Sequence, residues 1–95
     1  MTTKRFPITF EDLKDMFTRL HKTEWFAVLY DEHGGQQGHI VDNEGNIVYV
    51  SEHHIYEQVE FFDNINTLNK RIEELKSITN KTYRNFRILK REDYV

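Results

Sequence analysis

Asp42-Asn43-Glu44-Gly45-Asn46 separates two short strand-forming runs, His39 to Val41 and Ile47 to Val50, and its Asn and Gly residues tolerate the positive φ that a tight hairpin requires. A hairpin here commits the middle of the chain to a sheet. Upstream, Trp25 to Tyr30 is an unbroken apolar run, too short for an independent helix and rich in aromatic and β-branched types, so it reads as a further strand. The intervening Asp31-Glu32-His33-Gly34-Gly35-Gln36-Gln37-Gly38 contains three glycines and reads as a loop. The result is a three-stranded antiparallel meander.

Helical periodicity brackets the meander on both sides. Thr9 and Asp12 have the spacing of a capping box, with Ile8 and Leu13 placed for a hydrophobic staple, and Pro7 just before them favours extended backbone. Phe10, Leu13, Met16, Phe17 and Leu20 share one helical face, which predicts a helix from about Phe10 to His21. From Asp63, Ile65, Leu68, Ile72, Leu75 and Ile78 form a seam spaced three and four apart, ended by Asn80 and Lys81. Such a seam packs on a sheet or, at this length less readily, pairs with a second copy. Residues 53 to 61 fit neither period and are read as irregular or briefly helical. Thr82 to Leu89 reads as a final strand, giving an α+β fold of order α-β-β-β-(α)-α-β.

With 95 residues there is room for one core, so residues 1–95 are expected to form a single small domain. Seven Phe, five Tyr and one Trp supply much of the burial. The chain has no Cys, which excludes disulfides and thiolate zinc sites and fits a reducing compartment. Residues 1 to 10 lack the apolar run of a signal peptide, and no segment could span a bilayer as a helix. A cytoplasmic protein without a membrane role is the expectation. Ala27 is the single alanine, whereas Asn, Lys and Ile abound, a bias that AT-rich codons produce.

Charge is distributed unevenly along the chain. Between Lys22 and Lys70 there is no Lys or Arg, while Glu24, Asp31, Glu32, Asp42, Glu44, Glu52, Glu57, Glu60 and Asp63 all fall there. Every cation lies in the two flanking segments, so a net charge of −3 conceals a dipolar protein. Acids gathered on one surface attract a basic partner and raise its association rate. The alternative is that the flanking cations fold back and neutralise them.

Motifs of catalysis and ligation are weak. Adjacent His53 and His54 on a strand point to opposite faces, so they do not readily share an ion with His39, Glu52 or Glu57. Gly34-Gly35-Gln36-Gln37-Gly38 lacks the Lys-Ser or Lys-Thr and the helix of a phosphate-binding loop. Asp42 to Asn46 lacks the sixth-position glycine and distal glutamate of a calcium loop. Asn80-Lys81-Thr82 matches a glycosylation acceptor, which has no meaning without export. Ser51 has no orienting group at a recognisable spacing, so neither an enzyme nor a metal or other cofactor is expected.

The leading expectation is therefore a non-enzymatic protein-binding module presenting Asp31, Glu32, Asp42, Glu44, Glu52, Glu57 and Glu60 to a basic protein surface. An acidic sheet flanked by helices resembles, in layout, phage-encoded inhibitors such as anti-CRISPR and DNA-mimic proteins. That resemblance implies a nucleic-acid-processing partner and carries no functional residue across. A second expectation uses the basic and aromatic C-terminal strand, with Tyr83, Arg84, Phe86, Arg87, Lys90 and Arg91 contacting nucleic acid. Along an unbroken strand Arg84, Phe86 and Ile88 face one way and Tyr83, Asn85, Arg87 and Leu89 the other. A third is a homo-oligomer, in which the charge blocks pair between subunits.

Overall fold

The computed structural model describes the backbone of residues 2–95, and the side chains of all of these except 2, 35–40 and 47–51. A four-stranded mixed sheet in the order β1-β3-β2-β4 carries one helix on each face. Strand β1 (Thr2–Phe6) runs parallel to β3 (Ile47–Phe62), β3 runs antiparallel to β2 (Phe26–Val41), and β2 antiparallel to β4 (Thr82–Lys90). The α+β class is as the sequence indicates, with a different strand arrangement.

In place of a meander, β2 and β3 form one long hairpin whose register runs from Phe26↔Phe62 to Val41↔Ile47. The glycine-rich segment 34–38 is strand, and so are residues 53–61. Their period was hidden because both faces of β3 carry apolar and polar groups. Ile55, Glu57, Val59 and Phe61 alternate with Tyr56, Gln58, Glu60 and Phe62. Strand β1 was not anticipated beyond the extended backbone that Pro7 imposes on Phe6.

Thr9 caps α1 (Phe10–Asp15) with the reciprocal bonds its spacing predicts: Oγ1 accepts from Asp12 N at 3.2 Å, and Thr9 N donates to Asp12 Oδ2 at 3.1 Å. The helix then loosens into a π-helical turn, Met16–Leu20, closed by His21 N donating to the Met16 carbonyl at 2.8 Å. The wider turn shifts the helical phase, so Leu13 and Phe17 are buried while Leu20, a predicted core residue, is 74% exposed. Phe17 packs edge-on against Phe61 and stacks on Tyr94.

On the opposite face α2 (Ile65–Lys76) places Leu68, Ile72 and Leu75 against Val28 and Tyr30, with Phe26, Phe62, Ile65, Ile78, Tyr83 and Phe86 closing the cluster. The predicted seam is therefore used on the sheet. Asn64 caps this helix, its side chain accepting from Thr67 N at 2.9 Å. It ends at Lys76, earlier than the sequence suggests, where Ser77 Oγ donates to the Glu74 carbonyl at 2.7 Å.

Strands β1 and β4 cover only the proximal part of the hairpin. β1 reaches Glu52 on β3, and β4 reaches His33 on β2. Among the described residues no third strand pairs with Gly34–Val41 or with residues 47–51, so the hairpin continues as a two-stranded arm. The molecule accordingly extends 60 Å along its longest axis against 29 and 17 Å along the others. No helix among the described residues is long and apolar enough to cross a membrane.

Candidate functional site

The central acidic segment is spread over two environments, the sheet body and the arm. In the body, one charged residue from each strand joins a network across the sheet: Arg5 on β1, Glu57 on β3, Asp31 on β2 and Arg87 on β4. Arg87 Nη2 lies 2.9 Å from Asp31 Oδ1 and its Nη1 3.4 Å from Glu57 Oε1, while Arg5 Nη2 lies 3.1 Å from Asp31 Oδ2 and its Nε 3.7 Å from Glu57 Oε2. Asp31 is only 4% exposed, and these two guanidinium groups offset the cost of burying it.

A β-bulge sets this geometry. Leu29 faces Arg87 but Asp31 faces Arg84, so β4 carries one extra residue there. Asn85 takes φ 58° at the bulge, its side-chain amide donates to Asp31 Oδ2 at 3.3 Å, and its carbonyl accepts from Arg87 Nε at 3.0 Å. The same bulge overturns the alternation expected along β4. Tyr83 now shares the α2 face with Phe86, their rings 5.6 and 5.5 Å from that of Tyr30.

Two more acids of the segment are bound by cations. Glu60 accepts from Arg71 Nε at 2.9 Å and from the Tyr30 hydroxyl. Burial, then the bond to Glu60, then its negative charge push the Tyr30 phenol far above its usual range. Glu32 accepts from Lys81 Nζ at 2.8 Å and from Gln58 Nε2 at 3.2 Å, and its hydrogen bond and charge raise the Lys81 ammonium.

Of the seven acids expected to form one partner-binding surface, Asp31, Glu32, Glu57 and Glu60 thus hold the body together. Asp42 and Glu44 lie at the tip of the arm and Glu52 at its root, opposite Thr2 of β1, all three exposed. Asp42 organises the tip: its Oδ1 accepts from Asn46 N at 2.8 Å and Glu44 N at 2.9 Å, and Gly45 turns the chain with φ 84°. The Asn46 bond, followed by that from Glu44, lowers the Asp42 carboxyl below its usual value. Glu52 Oε2 lies 3.3 Å from His54 Nε2, and at the root of the arm His33 Nδ1 lies 3.0 Å from His53 Nε2. His53 and His54 do face opposite ways, each with its own partner.

The residues proposed for nucleic-acid contact are similarly divided. Tyr83 and Phe86 pack under α2, Arg87 belongs to the ion network, and Arg91 lies over the Trp25 ring at 5.8 Å. Arg84 and Lys90 remain exposed, with no ion-pair partner among the described residues. Lys90 also lines an open depression of about 250 Å³ with Trp25, Phe26 and Glu92. Among the described residues no three His, Asp or Glu side chains are grouped to hold a metal ion.

Sequence reasoning missed the arm itself and the Asp31–Arg87 network. The available signal was the presence of strand-compatible residues on both sides of the Gly-Gly-Gln-Gln-Gly segment. Comparison with protein-family models, curated proteins and solved structures yields no match.

Proposed function

We propose that this chain is a non-enzymatic protein-binding module that docks through its hairpin arm, with Asp42, Glu44 and Glu52 meeting a basic protein surface. The observation that supports this reading is the division of the acids: those in the body are engaged by Arg5, Arg71, Lys81 and Arg87, and those on the arm are offered to solvent. A charged projection of this kind favours fast, salt-sensitive association with an oppositely charged partner. A nucleic-acid-processing protein is the class of partner whose surface suits it, and inhibition of that partner is the expected consequence.

The test is capture from the native host with the parent chain and with the triple variant Asp42→Lys, Glu44→Lys, Glu52→Lys. A basic protein retained by the parent and lost from the folded variant supports the reading. Equal retention by both refutes it. The second reading, nucleic-acid binding through Arg84 and Lys90, retains two exposed cations but not its aromatic stack. Measuring DNA affinity against salt separates the two, because only the second predicts a measurable slope.

A further inference from the structure

We propose that the outer edge of β2 from Gly34 to Ile40 is a self-association surface, on which the same strand of a second copy pairs antiparallel about a two-fold axis at Gln37. Strand β4 stops opposite His33, so beyond that residue the backbone groups of β2 that point away from β3 meet no strand among the described residues. A two-stranded ribbon is marginal by itself, and joining two of them makes a four-stranded arm.

The sequence distinguishes this edge from those formed by β1 and β4. Strand β1 carries Lys4 and Arg5 and strand β4 carries Arg84, Arg87 and Lys90, the charges by which proteins discourage edge pairing. Gly34-Gly35-Gln36-Gln37-Gly38-His39-Ile40 contains no Lys, Arg, Asp, Glu or Pro. It is therefore open to strand addition, as is the equally uncharged edge of β3 at residues 47–51 on the other side of the arm, and the order of its residues is what favours a second copy on the β2 side.

Its residue order also matches itself. A two-fold axis normal to a sheet pairs residues of the same facing, and an axis at Gln37 sets Gly34 opposite Ile40, Gly35 opposite His39, and Gln36 opposite Gly38. Each larger residue then meets a glycine, and Gln37, able both to donate and to accept, meets its own copy. A foreign strand would not require this palindromic spacing. Charge points the same way: each acidic tip ends beside the start of the other copy's β4, where Arg84 is exposed and has no ion-pair partner among the described residues.

Sedimentation velocity from about 1 to about 500 µM tests the proposal. The parent chain should show a discrete, concentration-dependent dimer. Gln37→Glu and Gln37→Lys place like charges opposite each other on the axis, and each should weaken the dimer about fivefold or more. An equimolar mixture of the two should restore dimerisation, which also shows that each variant folds. A parent that stays monomeric, species larger than a dimer, variants that dimerise as tightly as the parent, or a mixture no tighter than either variant alone would each overturn it. Any of these leaves the proposed docking of a basic partner standing, because that reading uses the tip carboxylates and not the backbone edge.

Discussion

Asp31 and Glu57 sit directly opposite each other on β2 and β3, two carboxylates held side by side because Arg5 and Arg87 each reach both. Like charges placed across a ladder repel, so the pair is tolerable only with its cations in place. Arg87→Met should lower stability by about 2 kcal/mol, and adding Glu57→Gln should recover part of that loss. Urea denaturation of the two single variants and the double variant measures the coupling. Additive losses would show that Arg87 does not serve the pair.

The bulge gives a backbone test. Asn85 at φ 58° tolerates Gly far better than a β-branched residue, so Asn85→Val should cost about 2 kcal/mol and Asn85→Gly less than half of that. Thermal denaturation of both variants decides it. Equal losses would place the importance of Asn85 in its hydrogen bond to Asp31 alone.

The π-helical turn predicts a contrast between two leucines that the sequence pattern treats alike. Leu68→Ala empties a fully buried position and should cost about 3 kcal/mol. Leu20→Ser, at an exposed position, should change stability by less than about 0.5 kcal/mol. A large loss at Leu20 would mean that the first helix keeps regular α-helical phase through residue 20.

Tyr30 gives the fold a basic-pH limit. Its phenol is raised in the folded state, so it stays protonated where the unfolded chain ionises. The resulting stabilisation is complete below the unfolded value of 10.0 and is lost as pH rises through the folded value. Stability measured from pH 8 to 11 should therefore fall above about pH 10, and Tyr30→Phe should flatten that fall. An unchanged slope in the variant would assign it to other groups.

The helices were legible in the sequence because their signals are local. Thr9, Asp12 and the seam from Ile65 to Ile78 specify themselves within a few turns. The sheet was less legible because its determinants are distant in sequence: β1 finds its partner 50 residues on, at Glu52 opposite Thr2. Gly34 and Gly35 read as loop residues because nothing nearby reveals that His53 and His54 will lie across from them in register. The acidic segment was visible as composition, but its division into structural and free carboxylates depended on where Arg5, Arg71, Lys81 and Arg87 fold back. The bulge at Asn85, which brings Tyr83 to the α2 face, had no signal except the residue's own tolerance of positive φ.

Partner capture by an arm-shortened chain tests the central claim most directly. Replacing residues 37–51 with Asn-Gly keeps Gln36 and Glu52 as the closing pair and leaves the four-stranded body, both helices and the Asp31–Arg87 network in place. The account predicts that this chain folds with a cooperative transition and no longer retains the basic host protein that the parent captures. Undiminished capture by the folded, armless chain would contradict it.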